Sequence, residues 1–134
     1  MVKLGLVVAS FNAPITDRMA DAAHDAAATR GAEIVEMLRV PGAYDTPLAA
    51  DRLARRSDID AVAVLGAIIT GETHHDRVIA HAATRALTTV SLDRDTPITL
   101  GIIGPGATAA HAHDRVEYGA TAVNSAIDMV ETLQ

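Results

Sequence analysis

Four short apolar runs recur along the chain, separated by segments whose apolar residues repeat with helical spacing. Three of the runs are nearly continuous in Val, Ile, Leu and Ala, which is typical of strands buried on both faces of a parallel sheet. The second run carries Glu36 and Arg39, so it predicts an edge strand. The predicted strands are Lys3–Ala9, Glu33–Arg39, Asp60–Ala67 and Ile98–Ile103.

The intervening segments predict amphipathic helices. Gly31 is expected to end the first helix, and Pro47–Arg56 forms a short second one. A further short helix is predicted from near Ala107, and Gly119 is expected to separate it from the last. The apolar stripes of the three long helices are Ile15, Met19, Ala22 and Ala26; Ile79, Ala83, Ala86 and Val90; and Ala122, Ala126, Met129 and Leu133.

Strands that alternate with helices at this spacing form βαβ units. We therefore expect a three-layer α/β/α fold around a four-stranded parallel sheet. The 134 residues are enough for one core but too few for two, so residues 1–134 are expected to be a single domain. Ligands of such sheets bind outside the carboxyl ends of the strands, which here are the loops at 10–14, 40–46, 68–76 and 104–108.

Composition narrows the possible partners. The net charge of −6 disfavours a surface for nucleic acid or for anionic membranes. No apolar run is long enough to span a membrane, and no signal peptide is evident, so we expect a cytoplasmic protein. Twelve Asp residues and ten Arg residues accompany a single lysine, Lys3. This bias is typical of salt-adapted proteins, and a GC-rich genome also favours it.

Two aromatic residues follow predicted strands. Phe11 can cover the edge of the sheet, or it can stack on a planar ligand ring, which adds about 0.5–1.5 kcal/mol beyond area burial. Tyr44 precedes Asp45, whose position before Pro47 favours capping of the short helix. Asp45 could alternatively accept hydrogen bonds from ligand hydroxyls.

The segment from Gly66 to Asp76 has the most chemical content. It runs from a buried strand through Gly71 into a helix, so free backbone amides there can hold an anion. His74 or His75 can carry protons near neutral pH, whereas ordinary capping by Thr73 with solvated histidines is the simpler alternative. The GK[ST] sequence of a P-loop is missing, so the segment does not indicate nucleotide triphosphate binding.

Metal binding is not expected. The chain has no cysteine, and His111 and His113 are two positions apart on a helix, so their side chains point in different directions. The nearby Arg115 can bind a phosphate bidentately, although a lone arginine is usually an ordinary surface residue.

Taken together, these loops resemble lumazine synthases, and most closely the short archaeal members. The similarity extends from Leu4 to about Leu133. The segments that carry it are VASFNAPIT (8–16), VPGAYDTPLA (40–49), GAIITGETHHD (66–76), TLGIIGPG (99–106) and DRVEYG (114–119). The resemblance implies a flavodoxin-like sheet and an enzyme without a metal or redox cofactor. The implied reaction is the penultimate step of riboflavin biosynthesis, in which 5-amino-6-(D-ribitylamino)uracil condenses with L-3,4-dihydroxy-2-butanone 4-phosphate.

The resemblance also implies a role for each matching position. His75 matches the catalytic histidine. The implied substrate contacts are Phe11 on the pyrimidinedione ring; Ala43, Tyr44 and Asp45 on the ribityl chain; Ala67, Ile68 and Ile69 on the ring edge; Glu72 and Thr73 on the phosphate; and, from a neighbouring subunit, Leu100 and Arg115.

The implied assembly is a homopentamer with active sites between subunits, and the further step to a 60-subunit shell stays open. Some positions depart from the bacterial pattern: Asp45 stands where Glu is common, Leu100 where an aromatic is frequent, and Thr70 where a basic residue is frequent. A lysine-bearing loop is also missing, so phosphate binding is expected to depend more on Arg115.

Two other functions compete with this one. The archaeal riboflavin synthases have a similar fold, but we know of no GETxHD loop in them. A flavodoxin-like module that binds a flavin or lumazine without catalysis would also use Phe11, but it would not need a phosphate pocket.

Overall fold

The computed structural model describes residues 1–71 and 75–134. Strands and helices alternate along it, as the apolar pattern predicts. The strands are β1 (Lys3–Ala9), β2 (Glu33–Val40), β3 (Ala61–Ile69) and β4 (Ile98–Ala107), and the helices are α1 (Ala13–Thr29), α2 (Thr46–Ala54), α3 (His75–Arg94), α4 (Ala109–His113) and α5 (Tyr118–Leu133). A 3₁₀ turn, Ala43–Asp45, precedes α2.

The four strands form one parallel sheet in the order β2-β1-β3-β4, which confirms the fold class and the edge position of β2. Alternate side chains of the central strands enter two different cores. Leu6 of β1 packs on one face with α1 and α5, whereas its neighbour Val7 packs on the other face with α2 and α3. Burial of β1 and β3 on both faces explains their nearly continuous aliphatic sequences.

Two expectations about the last third of the chain are wrong. The predicted loop at 104–108 is largely strand, because β4 continues to Ala107, which pairs with Ile69. Gly104 and Gly106 have φ of +98° and +84°, which allows the strand to bend there and resume pairing. Gly119 does not separate two helices but lies inside α5, where an added Cβ would meet the Met19 carbonyl oxygen of α1 at 2.1 Å.

The face that α5 buries is also rotated relative to the predicted stripe. Ala122 and Ala126 are buried as expected, and Val123 and Ile127 complete the stripe. Met129 is 42% exposed and Leu133 is 66% exposed. Among the described residues, no helix is both long and apolar enough to cross a membrane.

Candidate active site

A cleft of about 350 Å³ opens at the carboxyl edge of the sheet. It lies between the ends of the adjacent strands β1 and β3. The chain adds β2 on the outer side of β1 and β4 on the outer side of β3, so this is the switch point of the sheet, where parallel α/β sheets bind ligands. Six residues singled out from the sequence line it: Phe11, Ala43, Ala67, Ile68, Ile69 and His75. The other lining residues are Asn12, Gly71, Asp76 and Ile79.

Phe11 forms one wall of the cleft, and the residue is 65% exposed. Its backbone N–H donates to the Pro41 carbonyl at 2.8 Å, which ties the loop after β1 to the end of β2. The ring edge lies directly on Gly42, where an added Cβ would be 2.8 Å from Cδ2 of Phe11. The exposed ring is therefore held at its edge and presents a face on which a planar group can stack.

Asn12 braces the opposite side of the same loop. Its side-chain Nδ2 donates to the Ala67 carbonyl of β3 at 2.9 Å, and its own carbonyl accepts the first helical N–H groups of α1. Its backbone is left-handed, with φ 64°, a conformation that asparagine tolerates better than most residues. The hydrogen bond spans the switch point and fixes the spacing of the two loops that form the cleft.

Tyr44 and Asp45 lie beside the cleft and not in it. Both border a neighbouring groove of about 440 Å³ between α2 and α3. The Asp45 carboxylate accepts the Gly42 N–H at 3.0 Å, so it stabilises the 3₁₀ turn and makes no side-chain cap on α2. The expectation that the Asp45 side chain caps α2 is therefore wrong, because it caps the preceding 3₁₀ turn instead. Both residues are exposed.

The end of β3 and the start of α3 form the floor of the cleft. His75 is the first residue of α3 and is exposed. The next residue, Asp76, is buried, and its carboxylate accepts the Gly106 N–H at 3.1 Å. The predicted contacts Glu72 and Thr73, and the neighbouring His74, lie outside the described residues. The N-terminus of the 20-residue helix α3, whose dipole favours negative charge, faces this end of the cleft.

Leu100 and Arg115 lie away from this cleft. Leu100 lies on the outer strand β4, where it pairs with Val64 of β3. This pair is three residues before Ala67, which lines the cleft, and Leu100 is 47% exposed. Arg115 lies in the turn between α4 and α5, and its exposed guanidinium makes no ion pair with any residue in the described ranges. One chain therefore does not bring these two residues to its own cleft.

Among residues 1–71 and 75–134, the shifted pKa values belong to ion pairs on other surfaces. Arg94 of α3 donates to the Asp51 carboxylate of α2 at 2.8 Å and, together with Arg55, lowers the pKa of Asp51. Arg56 hydrogen-bonds Asp58 and lowers the pKa of that carboxyl group. Within the described ranges, no three His, Asp or Glu side chains are grouped so as to hold a metal ion.

Sequence reasoning missed three residues that shape the cleft: Asn12, Gly42 and Asp76. Asn12 had a usable signal, since an asparagine before Ala-Pro is a frequent helix start. An acidic residue in a first helical turn is common and gives no sign that Asp76 is buried. No local pattern shows that the Phe11 ring requires a glycine at position 42.

Comparison with known proteins shows which family the chain is similar to. A family model described as 6,7-dimethyl-8-ribityllumazine synthase matches residues 1–134. A protein of that name from Halorubrum lacusprofundi is 60% identical over 133 residues, which cover 99% of this chain and 99% of the relative. A namesake from Halobacterium salinarum is also 60% identical, covering 99% of this chain and 100% of its own. One from Methanocaldococcus jannaschii is 44% identical over 134 residues, covering 100% of this chain and 95% of its own.

Proposed function

The chain belongs to the 6,7-dimethyl-8-ribityllumazine synthase family, an enzyme family of riboflavin biosynthesis, and from that premise we propose how its cleft carries out the reaction. The substrates are 5-amino-6-(D-ribitylamino)uracil and L-3,4-dihydroxy-2-butanone 4-phosphate. The products are 6,7-dimethyl-8-ribityllumazine, phosphate and two waters. The observation that carries the proposal is the single cleft in which Phe11, the end of β3 and His75 meet.

The pyrimidinedione ring stacks on the exposed face of Phe11. Its polar edge then meets the backbone groups of Ala67, Ile68 and Ile69, where β3 ends and its ladder with β4 is interrupted. The ribityl chain extends toward Tyr44 and Asp45 along the adjoining groove. Asp45 has one carboxylate oxygen on the Gly42 amide, and its exposed carboxylate accepts the ribityl hydroxyls.

The phosphate binds at the N-terminus of α3. Amide groups at this end are unsatisfied within a helix, and the helix dipole favours an anion there. Glu72 and Thr73 are proposed to supply such amides. His75, in the first turn of α3, is then beside the reacting carbons of the butanone and can move protons at neutral pH.

The reaction proceeds in three stages. The 5-amino group of the pyrimidine attacks the ketone and loses water to give an imine. Phosphate then leaves by elimination as His75 moves a proton. The enol that remains on the former hydroxyl carbon tautomerises to a second ketone, and the carbon that held the phosphate becomes a methyl group. The ribitylamino nitrogen attacks this new ketone, and loss of the second water closes the ring. Holding both reactants in one cleft can supply up to about 7–11 kcal/mol of the acceleration, with the proton transfers adding to it.

A neighbouring copy of the chain completes the site with Leu100 and Arg115. Since both residues are exposed and lie outside their own chain's cleft, the contact joins two different surfaces of the protein. Contacts of that kind form rings when the rotation between neighbours closes, and open filaments when it does not. We propose a homopentamer and leave assembly into a 60-subunit shell as an outcome of light scattering. The exposed apolar residues Val78 and Leu92, 65% and 77% exposed on α3, are consistent with a covered surface.

Its working conditions follow from the charge pattern. Two relatives at 60% identity come from halophilic archaea, and this chain carries 17 acidic residues against 11 basic ones. The excess of acidic residues makes the negative charges on the surface repel one another. We propose that full activity requires high salt, which screens this repulsion between carboxylates. The cytoplasm is its proposed compartment, since a phosphorylated substrate does not cross membranes unaided.

The test is the reaction itself, performed in dilute and in multimolar salt. Product formation is followed by lumazine absorbance and fluorescence against the uncatalysed rate. His75→Ala should lower kcat by roughly a hundredfold, at the low end of general acid–base catalysis, without abolishing turnover. His81→Ala is the matched control, since His81 is exposed on the same helix and outside the cleft. A folded protein with no acceleration in either salt would refute the proposal.

Mixed oligomers test the shared site. His75→Ala removes a group from a protomer's own cleft, whereas Arg115→Ala removes the group that it donates. Refolding the two variants together should form some sites with both groups intact, and activity should exceed that of either variant alone. Activity equal to the average of the two would show that Arg115 serves its own protomer or none.

A further inference from the structure

Asp76 is unusual in this protein because it is a charged residue inside it. It is 7% exposed, and no other charged side chain in the described ranges is buried. A buried carboxylate is costly unless it is hydrogen-bonded, and this one accepts the Gly106 backbone N–H at 3.1 Å. It lies next to His75 at the start of α3 and lines the floor of the cleft.

Its partner Gly106 belongs to a sharply bent part of β4. Gly104 and Gly106 both have positive φ, and a Cβ on Gly104 would meet the Ile68 carbonyl oxygen at 2.3 Å. After the bend, β4 returns to β3, where the Thr70 N–H donates to the Ala107 carbonyl at 2.9 Å. The bend turns the Gly106 N–H out of the ladder and toward Asp76.

The segment after this bend leads to Arg115. Ala107 is buried, Thr108 caps α4 by accepting the His111 N–H, and Ala112 of α4 is completely buried. Arg115 follows nine residues after Gly106, at the end of a short and well-anchored path. A change in the position of Gly106 relative to the sheet would therefore move the arginine.

We infer that Asp76 is a positioning residue that links the two half-sites of one chain: it holds the start of α3, which carries His75, against the β4 bend that leads to Arg115. The link rests on the proposed function, because Arg115 matters only if it binds the phosphate in a neighbouring cleft. The role requires a hydrogen-bond acceptor at position 76 and not a base.

Two substitutions separate these requirements. Asp76→Ala removes the acceptor, and it should raise KM for the butanone phosphate about tenfold while changing KM for the pyrimidine less than about twofold. Asp76→Asn keeps an amide oxygen that can accept from Gly106, and it should stay within about threefold of the native protein. Asp93→Ala is the matched control, since Asp93 is an exposed carboxylate at the far end of the same helix.

A double-mutant cycle tests the path to the arginine. In an Arg115→Ala background, Asp76→Ala should raise KM for the butanone phosphate by less than about twofold. A full tenfold effect in that background would overturn the link. So would an Asp76→Asn variant as impaired as Asp76→Ala, since it would assign the role to charge or basicity.

Hydrogen exchange provides a readout that does not depend on catalysis. Asp76→Ala should accelerate amide exchange in peptides covering residues 104–116, and Asp76→Asn should leave it near the native rate. Unchanged exchange in Asp76→Ala would overturn the inference even in a fully active enzyme. Accelerated exchange in a protein that does not form the lumazine would support the link while refuting the proposed function. If Asp76→Ala does not fold, the kinetics and exchange of Asp76→Asn decide the question.

Discussion

Replacing Gly42 by alanine tests the stacking wall with a single methyl group. The new Cβ would lie 2.8 Å from Cδ2 and 2.9 Å from Cε2 of Phe11, whereas carbon atoms pack at about 3.5–4.0 Å. The backbone of Gly42, with φ −138° and ψ 175°, is extended and suits alanine. The contact to Asp45 would be an ordinary 3.7 Å. The Phe11 ring is therefore the part that has to move.

The size of the effect follows from what the displaced ring loses. Stacking contributes about 0.5–1.5 kcal/mol, and the apolar area that the substrate covers on Phe11 adds a comparable amount. We expect Gly42→Ala to weaken binding of the ribitylaminouracil by about 1–2 kcal/mol, or roughly five- to thirtyfold in Kd. Because Phe11 is 65% exposed without ligand, the free energy of unfolding should change little.

The assay is calorimetric titration of the pyrimidine substrate into four proteins: native, Gly42→Ala, Phe11→Ala and the double variant. If the methyl group acts by displacing the ring, Gly42→Ala should have almost no effect once Phe11 is alanine. Equal losses in both backgrounds would refute the reasoning, as would unchanged affinity in the single variant. Urea unfolding of each protein provides the control for stability.

Three further predictions concern stability. Asn12→Ala should lower the free energy of unfolding by about 1–2 kcal/mol, since it removes the hydrogen bond to β3 and places alanine in a conformation with positive φ. Asn12→Gly should lower it by less, because glycine adopts positive φ without strain. Urea unfolding of the two variants measures the difference, and equal losses would contradict the prediction. Gly119→Ala should cost about 2–3 kcal/mol, because its Cβ would meet the Met19 carbonyl oxygen at 2.1 Å; an unchanged melting temperature would exclude that close approach. The hydrogen bond from Arg94 lowers the pKa of Asp51 below its ordinary 3.8. The ionised Asp51 therefore contributes about 1 kcal/mol at low salt to the free energy of unfolding above pH 3.8, and this contribution is lost as the pH falls through the folded-state pKa. Asp51→Asn should therefore lose less stability between about pH 5 and pH 3 than the native protein, and equal losses in acid unfolding would refute the assignment.

The candidate site was predictable where a residue's position in the element order was enough. Phe11 and His75 stand at strand and helix ends that a parallel sheet brings to one edge, so their meeting in a cleft follows from the alternation of elements. Asn12 and Asp76 could not be found in this way. Their roles depend on partners 55 and 30 residues away, and local patterns carry no record of such pairs.

The sequence by itself determined the strands, the helices, the parallel sheet and the edge position of β2, because periodicity and aliphatic content are local consequences of burial. It also carried the motifs that mark the family. Tertiary structure alone decided that β4 bends at Gly104 and continues, and that Gly119 lies against α1. The physical reason is that these features depend on close approach between distant segments, which is set by the packing of the whole molecule.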